Sequence, residues 1–260
     1  TNAGQTTECA TADLSTSGTL SLGDDNNDVF HLTGAGSAFA TPTASGLTLA
    51  GRLTASGGIT LRNINTVAAN LTFTNAVTLA EPVTLALGAH TLTIDAGIGC
   101  TTHNFETTGS GLVTVSAGAA ITATNGALTF ANPVTLGNGA SISASGTGTI
   151  NLNNTTGTTT IGNSASIAST GTGKITFAGT VTNNGSISAG NTGNGVTAIE
   201  FGGGYSGSGT INGNGTSNPV ILFSGASATI SIATIAPADD TVHFSGASQS
   251  ITPGASTYAN

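Results

Sequence analysis

Asp24, Asp25 and Asp28 form the densest acidic cluster of the chain, in the stretch GDDNNDVFHL. Calcium is bound by several oxygen ligands, which Asp and Asn side chains can supply. The cluster is therefore a candidate calcium site, and calcium is the one cofactor the sequence offers. The competing reading is an acidic turn ahead of a strand. Cys9 and Cys100 lie far apart and follow no metal-ligand spacing. In an exported chain the simplest reading is one disulfide between them, on the order of 4 kcal/mol in the chain-entropy view. A disulfide between neighbouring molecules is the alternative. His31, His90, His103 and His243 are scattered, with no HxH or HxxxH pair, which argues against a histidine metal site.

The remaining polar groups do not assemble a catalytic set. Asp239 and Asp240, in APADDTV, read as a solvated turn introduced by Pro237, and Asp95 as a corner residue. Glu200, in AIEFGG, alternates with Ile199 and Phe201 and so points away from them, toward solvent. Glycoside hydrolysis needs two carboxylates on one face, and no phrase carries them in register. The basic residues Arg52, Arg62 and Lys174 are distant in sequence from the acidic clusters. No GxSxG with an assignable His and Asp stands out. The sequons NLT at 70–72 and NGT at 214–216 are expected by chance in so Asn- and Thr-rich a chain. The expectation is a protein that is not an enzyme.

Composition narrows the partners. Three Lys and Arg against 11 Asp and Glu leave a formal charge of −8, opposite to what phosphate backbones and anionic membranes attract. No apolar run is long enough to span a bilayer as a helix. Charged residues make up 5% of the chain, so Thr, Ser and Asn must solvate it. There is no Met, so Thr1 is a processed or trimmed end, and removal of an export signal is the expected cause. The expected location is therefore outside the cell or on its surface.

The elements that must hold these residues are short strands. Phe130, Leu152, Phe177, Phe201, Phe223 and Phe244 recur at steps of 21 to 25 residues, in phrases such as ALTFAN, KITFAG, AIEFGG and VILFSG. Each phrase alternates apolar and polar and is followed by Gly or Asn, which is a strand and then a turn. Upstream, Phe73, Ile94 and Leu49 continue the ladder less cleanly. Between Ile94 and Phe130 the register is lost, and residues near 95–110 read as an irregular insertion. LTFTNAVTL at 71–79, LTFANPVTL at 128–136 and ITFAGTVTN at 175–183 align without gaps, so each repeat holds more than one strand. A period near 22 residues fits a parallel β-helix, an all-β solenoid of about 21–25 residues per coil. Coils stack ~4.8 Å apart, and roughly ten of them give a rod of about 50 Å. Phe73, Phe130, Leu152, Phe177, Phe201, Phe223 and Phe244 then form an internal stack. A sandwich expects antiparallel strands without a ladder, and a propeller blade needs about 40 residues. Residues 47–260 are read as solenoid, and residues 1–46, where the ladder fades, as an N-terminal cap over an open sheet edge.

The phrases GTVTNNGSISAG, GTINGNG, GNGASISASGTGTINLNN and GKITFAG resemble the passenger repeats of bacterial autotransporters and filamentous-haemagglutinin-like proteins. The likeness covers about residues 110–250 well and 47–97 loosely. It implies a right-handed β-helix displayed on, or shed from, a bacterial surface, in a group whose members are often adhesins or biofilm components. No translocator barrel or haemagglutinin-type secretion domain is evident within these residues. The Asp24–Asp28 stretch resembles a single unit of the calcium-binding nonapeptide repeat, which needs adjacent copies that are not present. Three functions follow. The first is a self-associating structural subunit of an extracellular fibre or biofilm matrix, whose partner is the protein itself. The second is an adhesin that binds glycans or surface receptors. The third is a β-helix polysaccharide-active enzyme, for which no site can be named.

Overall fold

Alternating Thr, Val, Ile and Ser suit an extended chain, because β-branched side chains pack well on a pleated surface. Gly and Asn every few residues stop each strand before it grows long. The computed structural model describes residues 59–190, 195–213, 218–226, 228–232, 234–235 and 241–253. Upstream it describes the strands 6–9, 21–22, 29–32, 39–40 and 48–55.

The described strands pair in parallel, coil upon coil, in about eight turns of about 22 residues, and no helix interrupts them. Each full turn contributes three strands, which stack into three ladders and so give the solenoid three faces. The first face holds Leu92–Ile94, Val113–Val115, Val134–Leu136, Thr158–Ile161, Thr180–Asn183, Tyr205–Ser206, Thr229–Ile232 and Ser250–Pro253. The second holds Phe105–Gly109, Leu128–Phe130, Ile150–Leu152, Ile175–Phe177, Thr197–Phe201, Val220–Phe223 and Thr241–Phe244. The third runs from Gly97–Thr101 through Ala120–Ala123, Ser141–Ala144, Ser166–Ser169 and Ser186–Ser188 to Thr210–Asn212 and Thr234–Ile235. The longer strands Ile59–Phe73 and Val77–Gly88 run round corners and serve more than one face.

Inward positions are closed to water through the inner turns of the stack. Phe130, Leu152, Phe177, Phe201 and Phe223 are no more than 1% exposed. Phe177, Phe201 and Phe223 lie ring on ring, with centroids 5.0 and 4.8 Å apart and planes within 13°. Phe244 continues the stack at 5.2 Å but is 36% exposed, because no described strand lies on its other side. Asn side chains tie corner to corner between coils. Thr91 N donates to Asn70 Oδ1 at 2.8 Å, Ala127 N to Asn104 Oδ1 at 2.9 Å, and Asn132 Nδ2 to Gly111 O at 2.8 Å.

Several expectations need correction. The stretch near 95–110 is not an irregular insertion: Gly97–Thr101 and Phe105–Gly109 pair in parallel on both sides. The ladder of aromatic residues breaks there because Thr107 stands level with Phe130, while Phe105 stands level with Leu128. Phe105 and Phe130 still meet, edge to face at 5.9 Å. Phe73 is a core residue, as expected, but of a different stack: it aligns with Ile94 and so with Val115 and Leu136 on the first face. The shared phrase at 71–79 is therefore set one face round from its copy at 128–136. All three faces have apolar interiors, so the same strand-turn-strand phrase fits either corner.

Among the described residues, strands on either side of residue 46 pair with one another. Val29–Leu32 joins Thr6–Cys9 below and residues 52–55 above, all in parallel. These pairings also oppose the expected disulfide. Thr6–Cys9 lies below 29–32, 52–55 and 71–73 before the level of Leu92–Ile94 is reached. At ~4.8 Å per level the cysteines stand on the order of 19 Å apart, against roughly 4.4–6.8 Å between disulfide-linked Cα atoms. Cys100 is a free, buried thiol, and burial pushes its pKa up to about 12.

The Thr107 hydroxyl has no partner inside the core, where an unpaired polar group is unfavourable. Thr107→Val keeps the shape and removes the hydroxyl. It is expected to leave stability unchanged or to raise it by about 1 kcal/mol, readable as an equal or higher urea midpoint.

Candidate functional site

Function must be carried by what the faces present outward. On the first face, Thr72, Thr93, Thr114, Thr135, Thr160, Thr182 and Ser206 stand level with one another on successive coils. On the third face, Ser141, Ser166, Ser186 and Thr210 do the same. These rows are neutral, can donate and accept hydrogen bonds, and repeat at one strand spacing of ~4.8 Å.

The second face is different. Its outward row runs Thr84, Glu106, Thr129, Asn151, Thr176, Glu200, Leu222, His243. Lys174 Nζ donates to Glu200 Oε2, and Ser224 Oγ donates to Glu200 Oε1 at 2.8 Å. Glu200 thus points outward as its alternation with Ile199 and Phe201 predicts, but it is only half-exposed and is paired. The hydrogen bond from Lys174, then that from Ser224, hold its carboxyl below the usual carboxylate range, against burial, which raises it. A carboxyl depressed on folding stabilises the fold above its unfolded pKa, near 4.3, and that contribution fades as pH falls through the folded value. Exposed pairs contribute about 0.2–1 kcal/mol. Glu200→Gln is therefore expected to lower stability by less than about 1 kcal/mol at pH 7 and by nothing measurable once both forms are neutral in acid. Urea titrations at the two pH values check this.

Asp95 Oδ1 accepts from Ser116 Oγ at 2.6 Å, one turn along, and Glu106 Oε2 from Thr84 Oγ1 at 3.5 Å. Among the described residues no three of His, Cys, Asp and Glu converge. His90 and His103 sit at two different corners, about half a turn apart, where their backbone carbonyls face Gly111 and Gly126 of the next coil. His243 is exposed on the last described strand of the second face. The candidate calcium residues Asp24, Asp25 and Asp28, and also Asp239 and Asp240, lie outside the described residues. Among the described residues, no helix is long and apolar enough to cross a membrane.

Reading by sequence missed two arrangements. The pairing of Lys174 with Glu200 joins residues 26 apart, about one turn, and becomes visible only once the coil length is applied to polar residues as well as to Phe. Inside the core, Asn183 Nδ2 donates to the Tyr205 hydroxyl at 2.9 Å, again one turn apart. Burial pushes the Tyr205 pKa up to about 12, with the Asn183 bond acting in the opposite direction. Comparison with protein-family models, curated proteins and solved structures finds no match.

Proposed function

We propose that this chain is a non-enzymatic structural subunit of an extracellular fibre or biofilm matrix, one that associates with copies of itself. The observation that carries the reading is the outward rows: straight lines of neutral hydroxyls on a stiff parallel stack. With charged residues at 5%, little like-charge repulsion opposes side-by-side contact. Rows that repeat at a common spacing can form many weak hydrogen bonds in register, where one such bond alone would contribute little. The unpaired outer edge of Thr241–Phe244 among the described residues offers further strand pairing. Likeness of the repeat phrases to bacterial surface passengers supports the location. An adhesin that binds glycans or receptors is the second reading, favoured by a groove at Gly204.

Electron microscopy and sedimentation of the purified protein test the proposal. Filaments or sheets, and a mass that rises with concentration, support it. A monomer at every concentration overturns it, and turnover of pectin-like polymers would replace it with the enzyme reading.

A further inference from the structure

On the first face a second outward row runs Thr158, Thr180, Gly204, Thr229, Ser250, one residue before the inward position of each strand. Gly204 breaks it. Where the neighbouring coils carry threonine this coil carries no side chain, and a groove of about 490 Å³ opens there. Thr180 and Thr229 bound it along the axis, two strand spacings or ~10 Å apart. Ser206, from the hydroxyl row, and Ser231 line its side. The floor is the backbone of Gly203, Gly204 and Tyr205; beneath it the Tyr205 side chain is buried at 1% exposure, its hydroxyl held by Asn183 and its ring edge-on to Phe201 at 5.1 Å.

Among the described residues, no charged side chain lines this groove. Its volume lies within the range of small-ligand sites, roughly 300–1,000 Å³. It offers hydroxyls on three sides over a floor of glycine backbone, with Ala226 and Ala228 as its small apolar surface, a pattern that complements a molecule with hydroxyls at its edge and C–H groups on its face. The geometry points to a binding site for one or two neutral sugar rings of a polysaccharide. Such a site does not rest on self-association: the groove occupies a single break in one face, and of the hydroxyl row named above it shares only Ser206.

The chain has two tyrosines and no tryptophan, so Tyr258→Phe leaves Tyr205 as the sole emitter for fluorescence titration. The probes are cellotetraose and isomaltotetraose as neutral sugars and tetragalacturonate as an anionic one. A saturable change with at least one neutral probe, and a tenfold or weaker response to tetragalacturonate, is the expected result. Gly204→Thr completes the row with the residue found in adjacent coils. Its Cβ meets Thr229 O at 3.1 Å, so a small adjustment seats it. This variant is expected to lose affinity at least tenfold while keeping its melting temperature. Should it fail to fold, Ser206→Ala, which leaves the gap open and removes one hydroxyl, must weaken binding several-fold. No response to either neutral probe at millimolar concentration overturns the assignment. So does equal binding of tetragalacturonate, or unchanged affinity in the folded variant. Filament formation by Gly204→Thr, followed separately, keeps this outcome distinct from that of the self-association reading.

Discussion

Replacing Phe201 with Asp is expected to unfold the middle of the solenoid. Phe201 has no exposed surface, stacks on Phe177 at 5.0 Å and on Phe223 at 4.8 Å, and meets the Tyr205 ring from the side. Truncating such a ring to Ala costs about 3–5 kcal/mol in lost contacts and cavity. An aspartate adds the penalty of a carboxyl with no partner among rings, several kcal/mol or enforced protonation. The sum is of the order of a whole domain's stability, ~5–15 kcal/mol. In a stack where each turn contacts only its neighbours, the loss opens the turns on either side first. Phe244→Asp is the internal control: that ring stacks on one side and is already 36% exposed. It should lower the melting temperature far less. Circular dichroism melts of the two variants and the parent read the difference directly. Equal melting temperatures for Phe201→Asp and the parent would mean that the rings do not hold the coil together.

Much of this fold is legible in the chain because a solenoid repeats one local rule. Alternation gives strands, Gly and Asn give corners, and the step between Phe residues gives the coil length. Reading by residue type also shows where that approach stops. Phe73 and Phe130 share a phrase and a type, yet stack in different columns, because an apolar interior on every face accepts the same phrase at any corner. Thr107 occupies a ring position, so a ladder drawn through aromatics breaks where the backbone does not. The pairing of Lys174 with Glu200, and of Asn183 with Tyr205, depends on which polar side chains reach across one turn. Local pattern carries no signal for that until the register is known. The gap at Gly204 does have a signal, the run GGG at 202–204, but a glycine run marks a turn as readily as a missing side chain on a strand.

Corners set the second large effect. At one of them Gly126, Gly148 and Gly173 lie over one another on successive coils. A Cβ added to Gly173 would stand 1.7 Å from the carbonyl oxygen of Gly148 and 2.5 Å from its carbon. Those are backbone atoms and cannot swing aside as a side chain would. The backbone around them is also fixed, since Thr172 N donates to Gly146 O at 2.8 Å and Ile150 N to Lys174 O at 3.0 Å. Gly173→Ala must therefore push adjacent coils apart and strain the ladders on both adjoining faces. Forced overpacking typically costs about 1–3 kcal/mol, and an immovable contact this short belongs at or beyond the upper end. Gly139 separates this cause from backbone conformation. Its φ is +71°, but nothing lies within 4 Å of an added Cβ. Gly139→Ala should then cost only the left-handed penalty, roughly 1–2 kcal/mol. Urea unfolding of both variants should rank Gly173→Ala as the more damaging. The reverse order would show that the coils are spaced more loosely at this corner than the carbonyl contact requires.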